Sequence, residues 1–250
     1  MDEIIKKDEV KILVSGDSIS KGVVYNEERG KYIIIEDSYV SIVQNRLKGI
    51  IYNVAKFGNT IIRGVSRLQN DVSKNDPDIV IIEYGGNDCD FNWDEIADNP
   101  EAVHSPKTDF YVFKQLLTDT ISSLKGRGIV PILFTLPPLD ADRYFKWVSK
   151  NSTAAGHRIF SWLGSVTKIY WWQERYNSAI VSIAEETKTR LIDIRSAFLH
   201  SPDFTKFICI DGIHPNREGH RLIAEKVVEY IRLNYSSLLK CQDGAADGVC

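Results

Sequence analysis

The chain is 250 residues long, 43% hydrophobic and 26% charged, with 16 Gly and 8 Pro, a composition that suits a compact globular protein and excludes disordered, collagen-like and fibrous classes. Its 31 Lys and Arg stand against 34 Asp and Glu, a net charge of −3, and no segment is basic enough to neutralise a run of phosphates, so nucleic acid is not an expected partner. The first nine residues hold no apolar core of the kind a signal peptide needs, and no later run reaches the length of a membrane span, so the expectation is a cytoplasmic protein.

In chain order, the first apolar, β-branched run covers 10–14. Ser38 then reads as the N-cap of a helix that places Val40, Val43 and Leu47 on one face before Gly49. A second strand is predicted at 50–54, followed by a helix with Ile61, Val65, Leu68 and Val72 in a stripe, and a third strand at 79–84. Phe110, Phe113, Leu117, Ile121 and Leu124 form the next helical stripe, ended by the glycines at 126 and 128. Strands at 129–136 and 190–194 follow, and Asn216 caps a last helix that buries Ile223, Val227 and Ile231. The strand runs are continuous rather than alternating, as in a parallel sheet covered on both faces. The predicted fold is therefore a single α/β domain over 1–250: three layers, α/β/α, flavodoxin-like, with a mostly parallel five-stranded sheet. Two long segments break the rhythm, 89–107 after the third strand and an aromatic-rich insert at about 139–175 after the fourth, and a polar tail is expected at about 236–250.

Four cysteines, Cys89, Cys209, Cys241 and Cys250, form no Cys-x-x-Cys pair, and the histidines do not cluster at zinc-ligand spacing, so neither a metal site nor a disulfide framework is expected. Cys241 and Cys250 could bridge under oxidation, but free thiols are the simpler reading.

Open α/β sheets bind ligands outside the carboxyl ends of their strands. The first strand is followed there by Gly16-Asp17-Ser18, the second by Phe57-Gly58-Asn59, the third by Gly85-Gly86-Asn87-Asp88, and the fifth, after a stretch, by Asp211-Gly212-Ile213-His214. A candidate nucleophile, two candidate oxyanion donors and an Asp/His pair thus fall on one rim. Each has a structural reading of its own: Ser18 as a helix cap, 85–88 as a turn, Asp211-Gly212 as a turn before a capped helix. Their joint occurrence at successive strand ends favours chemistry. Only two histidines have an acid three residues earlier, His214 with Asp211 and His104 with Glu101, and His104 lies in the irregular 89–107 segment, where a structural or solvated role is expected. His157, His200 and His220 read as structural or exposed.

These blocks resemble the SGNH hydrolase family, the GDSL-type esterases and lipases. The Gly-Asp-Ser turn matches Gly16 to Ser18, the second block matches Gly58, the Gly-x-Asn-Asp block ends in Asn87-Asp88, and the Asp-x-x-His block matches Asp211 and His214, all in the family's order. Ala55 stands where many members carry another glycine. The resemblance implies a serine esterase in which His214 activates Ser18, Asp211 orients His214, and an oxyanion hole is built from the N–H groups of Ser18 and Gly58 and the side-chain amide of Asn87. It implies no cofactor and no metal, and a small-molecule acyl ester as substrate. A small acyl group such as acetyl on a carbohydrate is the leading expectation, with lysophospholipase or thioesterase activity as alternatives. Other classes are a non-catalytic glycan-binding or phosphate-binding protein on the same fold, and a metal-dependent phosphoesterase using Asp17, Asn87, Asp88 and His214. The first is opposed by the intact Ser18, Asp211 and His214; a P-loop ending is missing for phosphate, and an Asp-x-His motif for the metal enzyme. Trp147, Trp162, Trp171 and Trp172 in the insert are candidate substrate-binding residues, against the reading that they complete a core or an interface.

Overall fold

A computed structural model describes residues 9–240 of the chain. Its main sheet holds β1 (Val10–Gly16), β4 (Gly49–Asn53), β5 (Ile79–Glu83), β6 (Val130–Phe134) and β7 (Arg190–Ile192), all parallel and in the spatial order β4-β1-β5-β6-β7. Counted along the main sheet alone this is the 2-1-3-4-5 arrangement, in which the chain leaves the first strand toward one edge and returns to build toward the other. The crevice of such a sheet lies where that direction reverses, at the carboxyl ends of β1 and β5.

Both faces of the sheet are covered, which is why its strands read as unbroken apolar runs. Ile12, Val14, Ile81, Ile132 and Phe134 face α2 (Tyr39–Arg46), α9 (Ile194–Leu199) and α10 (Arg217–Asn234). Leu13, Val80, Ile82 and Leu133 face α3 (Ile61–Asn75), α5 (Phe110–Gly126) and α8 (Thr167–Glu186). The alternation follows the two-residue period of a strand. The predicted caps hold: Ser38 accepts from the N–H of Ser41, and Asn216 from that of Gly219.

Four features lie outside the predicted elements. A four-residue helix, α1 (Ser18–Lys21), starts at the candidate nucleophile. An antiparallel hairpin, β2 (Val23–Asn26) with β3 (Lys31–Ile34), forms a second small sheet. The two irregular segments carry α4 (Trp93–Asp98), α6 (Ala141–Val148), α7 (Thr153–Leu163) and the start of α8, and these share a core of their own around Phe91, Ile96, Leu139, Ile159, Leu163 and Ile169. The segment 236–240, expected as the start of a polar tail, is instead tied down: Leu238 is buried in the main core, its carbonyl accepts from the N–H of Lys48 at 2.7 Å, and Leu239 bridges to Leu47. Cys89 and Cys209 are free and buried, while Cys241 and Cys250 lie outside the described residues.

Candidate active site

Strand β1 delivers Ser18 to the rim through the turn at Gly16 and Asp17. Asp17 caps α1, its Oδ1 accepting from the N–H of Ile19 at 2.9 Å, so the hydroxyl of Ser18 projects from the first residue of a short helix. Ser18 is buried but lines a cleft of about 1100 Å³. Behind the turn, the buried Glu83 at the end of β5 accepts from the N–H of Asp17 and the hydroxyl of Ser20. Burial, and next the neighbouring Asp17 carboxylate, push the Glu83 acid well above its ordinary range, and burial also raises Asp17.

His214 comes from the loop between the 3-10 turn Phe204–Phe207 and α10. Its Nε2 lies 2.9 Å from Ser18 Oγ and its Nδ1 2.5 Å from Asp211 Oδ2, a continuous line from hydroxyl to carboxylate. Asp211 Oδ1 accepts from the backbone N–H groups of Ile213 and His214 at 3.1 Å each, which fixes the carboxylate's orientation. Burial alone would raise Asp211, but the hydrogen bond and charge of His214 and those two N–H groups outweigh it and hold the acid below the usual carboxylate range. The loop is anchored by the insert: the N–H of Asp140 donates to the carbonyl of Gly212 at 2.8 Å, and Gly212, at φ +81°, packs so closely on the start of α6 that a Cβ there would lie 2.5 Å from the Tyr144 nitrogen.

Gly58 and Asn87 face the same cleft. Gly58 has φ +66° with open space where a Cβ would stand, so its glycine is required by backbone conformation and not by crowding. Asn87 Nδ2 donates to Asp17 Oδ2 at 3.0 Å, which fixes the amide and leaves its second N–H available. Asp88 turns away: its Oδ1 accepts from the N–H of Ile61 and the hydroxyl of Thr108, and burial raises its pKa to about 6. It ties the turn after β5 to the start of α3. Ala55 is buried, and the turn beside it is closed by Asn59, whose Nδ2 donates to the carbonyl of Gly16 and to Tyr84 Oη. Among the described residues, no group of three or more His, Cys, Asp and Glu is placed to hold a metal ion.

The four insert tryptophans separate. Trp147 and Trp172 line the cleft. Trp162 does not; it packs behind it against Phe91, Trp93 and Trp172. Trp171 is 58% exposed and also lies outside the lining. Position on their helices decides this, and tryptophan content alone could not reveal it. His104 binds the carbonyl of Asn99 at 2.8 Å, meets the edge of Trp162 and does not line the cleft. His220 is buried under α2, stacked on Tyr39, and burial lowers it to about 4.

Two cleft aromatics have no motif to announce them. Phe57 lies parallel to the His214 ring, with planes 7° apart and centroids at 6.2 Å. Tyr32, on the hairpin strand β3, stands 5.1 Å from the same ring and donates its hydroxyl to Asp211 Oδ2 at 3.1 Å. The readable signal was the hairpin itself, two runs of β-forming residues flanking a turn that ends at Gly30.

The family model described as GDSL-like Lipase/Acylhydrolase matches residues 14–222. The chain is 23% identical over 158 residues to GDSL esterase/lipase WDL1 of Oryza sativa subsp. japonica, a match covering 62% of this chain and 54% of that protein. It therefore spans about half the length of that curated relative. Among solved structures, the lipase/acylhydrolase from Enterococcus faecalis aligns with TM-score 0.64 at 20% identity over 94% of this chain and 100% of that one. Axe2, an acetylxylan esterase from Geobacillus stearothermophilus, aligns with TM-score 0.59 at 21% identity over 89% and 94%. At these identities the structural matches establish a shared fold.

Proposed function

We propose that this chain, which belongs to the GDSL-like lipase/acylhydrolase family, is a serine esterase that cleaves small acyl groups, such as acetyl, from a carbohydrate. The observation that carries the reading is the unbroken contact from Ser18 Oγ through His214 to Asp211, with Ser18 and His214 lining the cleft. In the first half-reaction His214 Nε2 takes the Ser18 proton as Oγ adds to the ester carbonyl, while Asp211 stabilises the imidazolium that forms. The N–H groups of Ser18 and Gly58 and the free N–H of the Asn87 amide receive the oxyanion. Collapse breaks the bond to the alcohol oxygen, which leaves with the proton from His214, and the acyl group stays on Oγ. Water, deprotonated by His214, then adds to the acyl-enzyme, and its collapse returns the proton to Oγ and releases the acid.

Because His214 must hand its proton to the departing oxygen, the alcohol occupies its side of the cleft, beside Phe57, Tyr32 and Trp147. Flat aromatic faces there suit a sugar ring. The acetylxylan esterases among the structural neighbours support the same substrate class.

Labelling with a fluorophosphonate, followed by peptide mass spectrometry, tests the nucleophile, and the expected adduct is on Ser18. A panel of acetyl, butyryl and octanoyl esters with acetylated xylo-oligosaccharides tests the substrate, with acetylated sugars expected to give the highest kcat/KM. Preference for octanoyl esters would favour a lipase-like reading, and no labelling of Ser18 would end the esterase reading.

A further inference from the structure

We propose that Tyr32, carried by the β2–β3 hairpin, is a positioning residue that tunes the His214 and Asp211 pair through its hydroxyl; the inference rests on the esterase reading above. Asp211 Oδ2 accepts two side-chain donors, His214 Nδ1 at 2.5 Å and Tyr32 Oη at 3.1 Å, while Oδ1 is already occupied by two backbone N–H groups. Orientation of the carboxylate therefore does not need Tyr32. The phenol instead occupies the remaining acceptor position of a fully buried carboxylate and draws negative charge away from the oxygen that His214 uses. The contribution is electrostatic: Asp211 becomes a weaker partner for the imidazolium, and His214 stays neutral, able to accept a proton, to lower pH.

The fold is built to hold this contact. Tyr25 and Tyr32 pair across the hairpin, and both meet Trp147 of α6 edge-on, so the phenol is clamped between the hairpin and the insert. On the other face of the hairpin, Val24 and Ile35 pack on Cys209, two residues before Asp211, and the N–H of Cys209 donates to the carbonyl of His214 at 2.8 Å. Hairpin and triad loop are thus packed against one another. Burial and the Asp211 charge push the Tyr32 phenol far above its ordinary range, so it remains a donor at every working pH. The other titratable groups around the pair are Asp17 from the nucleophile turn, Cys209, and His220 from α10, which is held neutral by burial near neutral pH.

The test is Tyr32→Phe, which keeps the ring and its contacts and removes only the hydroxyl. The acid limb of kcat/KM against pH, and that of fluorophosphonate inactivation, should both move up by roughly half a pH unit, since a donor to the carboxylate has been lost. In an Asp211→Asn background the same substitution should add nothing, because its route has been removed. Coincident limbs in the wild type and Tyr32→Phe would overturn the proposal. So would a drop in kcat with the limb unmoved, which would mean that the Tyr32 hydroxyl acts on the substrate and not through Asp211, and so would full, independent effects of the two substitutions in the double variant. Substantial hydrolysis by Ser18→Ala would instead overturn the esterase reading beneath it, whereas an inactive Ser18→Ala with an unmoved Tyr32→Phe limb would overturn this inference alone.

Discussion

The backbone N–H of Asp17 points at Oε2 of Glu83, 3.2 Å away, so a buried acid supports the turn that presents Ser18. The same oxygen accepts the hydroxyl of Ser20, which also contacts the Tyr39 hydroxyl. A carboxyl in this position is useful as an acceptor and costly as an anion, because among the described residues no cation is paired with it and Asp17 lies beside it.

That relationship gives a stability prediction with a definite sign. The folded Glu83 pKa is raised above its unfolded value, so above about pH 4.3, the unfolded carboxyl value, the folded state binds more protons than the unfolded one. Stability from this group is then lost as pH rises toward the folded pKa. Glu83→Gln keeps an acceptor oxygen for Asp17 and Ser20 but cannot ionise. The difference in Tm, variant minus wild type, should grow from about pH 5 to about pH 8. Thermal melts across that range check this, and a constant difference would show that the Glu83 acid is not raised in the fold and ionises there as it does in the unfolded chain.

Replacing Ser18 with Ala should lower kcat by about 10⁶, the loss seen when one member of a nucleophilic unit is removed. Asp211→Asn should cost on the order of 10⁴, because the amide favours the wrong imidazole tautomer while leaving the carbonyl contact to the backbone in place. Steady-state kinetics on a minimal acetyl ester, with circular dichroism to confirm folding, read both. Unaltered turnover in either variant would reject its assigned role.

Asn87 should act on the transition state. With one amide N–H held by Asp17 at 3.0 Å and the other free, Asn87→Ala should reduce kcat by about 10²- to 10³-fold and leave KM nearly unchanged. A raised KM at constant kcat would reassign the amide to ground-state binding.

The tryptophans should separate as their positions do. Trp147→Ala and Trp172→Ala, in the cleft lining, should reorder preference among acyl chains or sugars. Trp162→Ala should mainly lower Tm, since its ring packs among Phe91, Trp93 and Trp172, and Trp171→Ala should change little. Four unchanged substrate profiles would assign the aromatic insert to packing alone.

The sequence by itself determined the local features. The apolar runs of β1, β5 and β6 announce strands covered on both faces, the stripes of α2, α3, α5 and α10 announce helices, and Ser38 and Asn216 announce where α2 and α10 begin, because side-chain period and capping act within a few residues. The Gly-Asp-Ser turn and the Asp211 to His214 block were legible for the same reason. What only the tertiary structure decided is which of these features meet. Ser18 and His214 are 196 residues apart and Tyr32 and Asp211 are 179 apart, and their contacts exist because the sheet order β4-β1-β5-β6-β7 and the docking of the hairpin bring one rim together. Asp88 shows the converse, a residue inside a catalytic-looking block whose side chain is used to hold α3. A hydrophobic pattern specifies that a face is buried, but the partner across that face is set by long-range packing, and for that reason the role of Tyr32 and the division among the four tryptophans could not be read along the chain.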